Sequence, residues 1–157
     1  DNVLTKNESR MHRTHKPETS LVGVSFTSAG AMTGAPYKVL LDKHWVFAGT
    51  DLKNGDLFGK ESLHDRVPGG ASGHETDKIL PHSPKVLEHL AKGPNPNDGG
   101  ADLVLFALGA GEVFSTGSIT WVSSIFPDEK VSKITKNVLE RFLKDQKRDG
   151  RSSAHGL

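Results

Sequence analysis

Ala101-Asp102-Leu103-Val104-Leu105-Phe106-Ala107-Leu108 is the segment that most limits how this chain can fold. A continuous apolar run of strand length reads as a buried strand. Gly109-Ala110-Gly111 then turns the chain into Glu112-Val113-Phe114-Ser115-Thr116, and the two segments are predicted to pair. Downstream, Val131, Ile134, Val138 and Phe142, joined by Leu139 and Leu143, form a wide apolar stripe at helical spacing. Lys133, Lys136, Glu140, Arg141 and Lys144 take the other face. Asp128 is the predicted N-cap, and Lys144, Lys147 and Arg148 suit the helix dipole before Gly150 stops the helix.

Upstream, Leu21–Phe26, Pro36–Leu41 and His44–Ala48 are rich in strand formers and are read as three strands, the last two joined as a hairpin or meander. Asn54-Gly55-Asp56 marks a turn, and Pro84–Lys92 suits a short helix or a strand equally. Gly93-Pro94-Asn95-Pro96-Asn97-Asp98-Gly99-Gly100 opposes both and reads as a surface loop. The expected fold is therefore a mixed α/β domain over residues 20–148, with its C-terminal helix packed on the sheet. A polar, flexible segment precedes it at 1–19 and a disordered tail follows at 149–157. By analogy with open α/β sheets, the junction at Gly117-Ser118 is where a ligand is expected to gather.

Composition removes several function classes. Lys+Arg 20 against Asp+Glu 19 leaves a net charge of +1, which gives no general pull toward nucleic acid or an anionic membrane. The chain has no cysteine, so disulfides, zinc-thiolate sites and cysteine nucleophiles are ruled out, in keeping with a cytoplasmic protein. No apolar run approaches the ~20 residues of a membrane helix. Hydrophobic residues make up 34% of the chain, a low share, so either the domain is loop-rich or part of its apolar surface belongs to an interface. The chain opens on Asp1, not Met, and its polar start reads as a fragment entered in mid-chain or as a trimmed, flexible arm.

The candidate chemistry sits in Pro68-Gly69-Gly70-Ala71-Ser72-Gly73-His74-Glu75-Thr76-Asp77, inside a long irregular stretch from Leu57 to Pro84. Its glycines let backbone approach a ligand closely, and His74, Glu75 and Asp77 follow with acid, base or ligand groups. The competing reading is a polar surface turn in which Glu75 pairs with Lys60, Arg66 or Lys78. The histidines His64, His74, His82 and His89 match no standard metal spacing, so no metal ligand is assigned within the chain. Glu75 is the preferred general base. Ser118 could be a nucleophile, or its backbone amide could hold an anion, but the favoured reading is a structural strand-to-helix junction in which Ser118 caps and Trp121 packs, because neither Ser118 nor Ser115 sits in a Gly-x-Ser-x-Gly elbow.

Ala35-Pro36-Tyr37, His44-Trp45-Val46-Phe47-Ala48-Gly49-Thr50, Gly69 to Lys78, Gly99-Gly100-Ala101-Asp102, Val113 to Trp121 and Val131 to Leu143 occur in an order and spacing that resemble the C-terminal region of the N,N-dimethylformamidase large (beta) subunit. The resemblance covers about Leu21 to Leu143. It implies a domain similar to part of a class I glutamine amidotransferase, without the cysteine chemistry. It also implies metal-assisted hydrolysis of N,N-dimethylformamide to dimethylamine and formate, in a subunit that assembles with a small subunit. In that family a mononuclear iron is held by two tyrosines and a glutamate. Tyr37 is the one tyrosine here, so the resemblance places the iron ligands outside this chain. It makes Glu75 the catalytic carboxylate, with His74, Asp77, Phe106 and Phe114 as pocket-lining candidates. The isolated chain is expected to be inactive. The alternatives are a non-catalytic structural or subunit-interaction domain and, as a poorer fit, a self-contained small hydrolase.

Overall fold

The computed structural model describes residues 17–152. In chain order these form α1 (Thr19–Val22), β1 (Ser25–Phe26), β2 (Gly34–Ala35), β3 (Tyr37–Val39), a 3-10 turn (Trp45–Phe47), β4 (Leu57–Phe58), β5 (Ser72–Gly73), β6 (Asp77–Lys78), β7 (Glu88–Lys92), β8 (Asp102–Leu108), β9 (Gly111–Ser115), α2 (Thr120–Ser124) and α3 (Glu129–Ser152). Five strands build an antiparallel sheet in the order β4-β3-β7-β8-β9, and two small ribbons, β1-β6 and β2-β5, lie outside it. The fold is a mixed α/β arrangement with a C-terminal helix against the sheet.

The apolar run and its glycine turn form the β8–β9 hairpin, with Leu105 opposite Phe114. Burial on both faces explains why β8 is apolar from Leu103 to Phe106. Leu103 and Leu105 join one core with Val131, Ile134 and Val138 of α3. On the opposite face Val104 and Phe106 are also buried, and both side chains reach the backbone at Gly23. Tyr37 lies at the centre of the main core, stacked on Phe58 at 5.6 Å and edge-on to Trp121 at 5.6 Å. Asp128 caps α3 as expected, its Oδ1 accepting from the backbone N–H groups of Lys130 and Val131, both at 3.1 Å. Of the apolar stripe on α3, Leu139 and Leu143 remain exposed.

Several expected elements take another form. Leu21–Phe26 is not one strand: Gly23, at φ 82°, closes the single turn of α1, and only Ser25–Phe26 is left to pair. His44–Ala48 is a 3-10 turn and makes no hairpin with β3, which pairs instead with β4 and β7. Its carbonyls are taken by α3: Asn137 Nδ2 donates to Val46 O and Ala48 O, both at 2.9 Å, so tertiary partners override the local strand preference. Pro84–Lys92 resolves to the strand β7 over its second half. The loop at 93–100 is not wholly on the surface, since Gly93, Asn95, Gly99 and Gly100 are buried. The helix α3 continues through Gly150 to Ser152. The expected flexible start lies outside the described residues up to residue 16, and the expected tail lies outside them from residue 153.

Candidate functional site

The glycine-rich stretch is no surface turn. Gly70 adopts φ 135°, and a Cβ there would sit 2.4 Å from Gly59 O and 2.6 Å from Ala35 O, so only glycine lets these three backbone segments meet. From Gly70 to Gly73 the chain is buried. β5 pairs with β2, Ser72 Oγ donates to Asn95 Oδ1 at 2.8 Å, and Asn95 Nδ2 returns a bond to Ser72 O at 2.9 Å. That knot is why a Pro/Asn/Gly loop has buried ends. The next residues are stitched to the Gly117–Ser118 junction: Thr76 forms a bridge with Ser118, and the Asp77 N–H donates to Gly117 O at 2.7 Å.

This stitching opens a cleft of about 340 Å³ whose lining includes Glu75, Asp77 and Ser118, with apolar walls from Val22, Val24 and Ile119. Glu75 and Asp77 flank the fully buried Thr76, and both residues line the same cleft. Glu75 is exposed, and among the described residues no ion pair holds it; Lys78, one proposed partner, pairs with Asp98. Asp77 is half-buried, and its carboxyl is pushed up to about 6 by burial, with the charges of Glu75 and Glu18 adding to the rise. Asp102, at the start of β8, goes the other way. Burial works against its charge, but close contact with His89, the Ile79 N–H at 2.8 Å and Lys92 at 3.2 Å outweigh it and hold the carboxyl below its ordinary value. His89 Nε2 lies 3.0 Å from Asp102 Oδ1, within ion-pair range but not aligned as a hydrogen bond.

The other predicted site residues are dispersed. His74, at φ 68°, is not among the cleft-lining residues and meets His64 instead, Nδ1 to Nε2 at 3.0 Å. The Val67 N–H donates to His64 Nδ1 at 3.1 Å, so neutral His64 carries its proton on Nε2 and donates it to His74. The pair is thus an N–H···N bond, which leaves only one of the two facing nitrogens with a lone pair. Phe106 is buried against Gly23 and is not among the cleft-lining residues. Phe114 lines a separate apolar cleft of about 260 Å³ with Trp121, Ile125, Val138 and Leu139. Tyr37 is fully buried and donates its hydroxyl to Thr116 O at 2.5 Å, and burial pushes the phenol far above its ordinary range, so it is a neutral donor in the core. Among the described residues no three His, Asp or Glu side chains gather as an ion-holding group. A buried neutral phenol, an exposed Glu75 and a self-bonded imidazole pair do not make up a tyrosine and carboxylate iron set. The antiparallel sheet also removes the expected link to the ligand-binding end of parallel strands, although Gly117 and Ser118 do line the cleft. Val22, Val24 and Glu18 went unforeseen, because a one-turn helix far upstream carries no chemical signature.

The family model described as N,N-dimethylformamidase beta subunit-like, C-terminal, matches residues 2–133. The chain belongs to this family. It is similar to the N,N-dimethylformamidase beta subunit of Alcaligenes sp, 32% identical over 131 residues that cover 65% of this chain and 16% of that subunit. It is also similar to the subunit of the same name from Paracoccus aminophilus, 29% identical over 157 residues that cover 82% of this chain and 20% of that subunit. The chain therefore spans no more than about a fifth of the curated relatives it matches. Among the described residues no helix is long and apolar enough to cross a membrane.

Proposed function

We propose that this chain works as the C-terminal portion of an N,N-dimethylformamidase-type amidohydrolase, with the Glu75–Asp77 cleft as its contribution to the active site. The observation that carries the reading is a half-buried carboxyl held at about 6 beside a second, exposed carboxylate, in a chain of this family. Amide hydrolysis needs a proton taken from water as the C–O bond forms and a proton given to nitrogen as the C–N bond breaks. In this proposal Glu75 takes the proton from water, and protonated Asp77 supplies one to the departing dimethylamine, with formate as the other product. The iron implied by the resemblance has no fitting ligand set in these residues, so its ligands are assigned to other parts of the large subunit. The likeness to a class I glutamine amidotransferase domain is part of the same proposal and rests on motif order.

The test is Glu75→Gln in the complete enzyme, comparing turnover with iron content and subunit assembly. Turnover is expected to fall by about 100-fold or more, the scale of a lost general base, with iron and assembly retained. Wild-type turnover would remove Glu75 from the mechanism. A second role, in assembly, is favoured by one surface. Leu63 (70% exposed), Val122 (69%) and Phe126 (90%) lie around α2, where the Leu63 N–H bonds to Ser123 O, beside Ile119 at the cleft wall. Such a patch suits burial against the remainder of the large subunit or a small subunit. Phe126→Asp in the complete enzyme is expected to weaken assembly, read by sedimentation; unchanged assembly argues against that role.

A further inference from the structure

We propose that Ser118 is a positioning residue for Glu75 and Asp77, braced from the core by Tyr37. The inference rests on the reading of the cleft as part of an amidohydrolase site. Ser118 Oγ accepts from the Gly73 N–H at 2.8 Å, donates to Gly73 O at 3.1 Å and lies 3.1 Å from Thr120 Oγ1. A hydroxyl has one proton and two lone pairs. With Thr120 donating, all three contacts are satisfied at once and the hydroxyl has no lone pair left for attack on a substrate. The residue that looked like a weak nucleophile is instead saturated by structure.

Its contacts fall at the start of the carboxylate segment. One side chain holds both backbone groups of Gly73, much as a neighbouring strand would. Three residues later the backbone of Thr76 bridges that of Ser118, and the Asp77 N–H bonds to Gly117 O at 2.7 Å. Residues 73–77 are thus bound at both ends to residues 117–118, and His74, at φ 68°, supplies the bend between. This geometry puts Glu75 and Asp77 on alternate positions about the buried Thr76. Behind it, the Tyr37 hydroxyl holds Thr116 O at 2.5 Å, just before Gly117 turns the chain at φ 64°. Tyr37 cannot shift easily, because its ring is enclosed by Phe58 and Trp121. Aromatic core, Thr116 carbonyl, Ser118 hydroxyl and Gly73 form one mechanical path to the carboxylates.

The experiment compares Ser118→Ala, Ser118→Thr and Tyr37→Phe in the complete enzyme, with Glu75→Gln and Asp77→Asn as references. Ser118→Ala is expected to lower kcat by about 10- to 100-fold, the scale of a displaced catalytic group, with KM little changed. The pH profile of kcat/KM should move as the surroundings of Asp77 loosen. Ser118→Thr should restore most of the turnover, and Tyr37→Phe should shift the profile in the same direction by less. If Ser118→Ala fails to assemble, Tyr37→Phe decides, since it removes the hydroxyl and keeps the ring. A wild-type profile in the assembled variants overturns the inference, as does a loss of turnover that follows only the amount of folded enzyme. If Glu75→Gln and Asp77→Asn are themselves silent, the reading of the cleft fails. If they abolish turnover while Ser118→Ala behaves as wild type, the positioning role alone fails.

Discussion

Replacing Asp77 with Asn should stabilise this chain at neutral pH, by an amount that shrinks as pH falls toward the unfolded value of 3.8. The folded carboxyl is held at about 6 against an ordinary value of 3.8, so folding favours its protonated form. A group raised in this way gives its full stability below the unfolded value, and that stability is lost as pH rises through about 6. The difference corresponds to an upper limit of about 3 kcal/mol at pH 7.5. Because Asp77 is only half-buried, solvent screening reduces the effect to about 1–2 kcal/mol. Asparagine keeps the size of the side chain and removes the charge, so the part of the pH dependence that comes from Asp77 should disappear in the variant.

The assay is urea unfolding of both proteins at several values from pH 4.5 to 8. The wild type should lose stability relative to Asp77→Asn as pH rises, and at pH 7.5 the variant midpoint should lie higher by about 0.5–1 M urea. Asp102 does not confuse the result. Its folded value is depressed, so its stabilisation is complete above its unfolded value of 3.8 and is lost as pH falls through the lower folded value, below the range scanned. Equal slopes for the two proteins, or a less stable variant at pH 7.5, would refute the account of Asp77 as a carboxyl strained by burial and by Glu75.

Two further substitutions test the frame around the cleft. Gly117→Ala places a Cβ 2.9 Å from Asp102 O and 3.0 Å from Asp77 O at a positive φ, and should cost about 2–4 kcal/mol in thermal or urea unfolding. Asp128→Ala removes the cap of α3 and the acceptor for the Lys60 N–H at 2.9 Å, and should cost about 2 kcal/mol by the same measurement.

What could be read from the residues divides by the range of the interactions. The β8–β9 hairpin and the capped helix α3 depend on nearby residues: an apolar run, a glycine turn, a 3.6-residue stripe and Asp128. The misread elements depend on partners far along the chain. His44–Ala48 has strand-forming residues, yet its carbonyls belong to Asn137. Leu21 and Val22 look like strand residues, yet Glu18 O and Thr19 O close a helical turn at Gly23. In the site, the glycines and the acid and base groups that follow them were legible because both lie within residues 69–77. The walls were not, since Val22, Val24 and Ile119 reach the cleft only through folding of the whole chain.

Asp77 and Asp102 show how one residue type is assigned two tasks by its surroundings. Both aspartates contact the Gly117 turn through their backbones: Asp77 donates its N–H to Gly117 O, and a Cβ at Gly117 would meet the carbonyls of both. Burial opposes the charge of each. At Asp102 the opposition is overcome by His89, Lys92 and the Ile79 N–H, which make the carboxylate a fixed tie between β8, β7 and the segment after β6. At Asp77 the neighbouring charges are Glu75 and Glu18, which add to the opposition and leave a carboxyl that can change protonation near neutral pH. Exchanging their surroundings should exchange the behaviour. A cation introduced by Glu75→Lys should pull Asp77 below its present value of about 6, as followed by NMR titration of its carboxyl. A titration that stays in place would show that burial alone raises Asp77 and that its pairing with Glu75 has no electrostatic consequence.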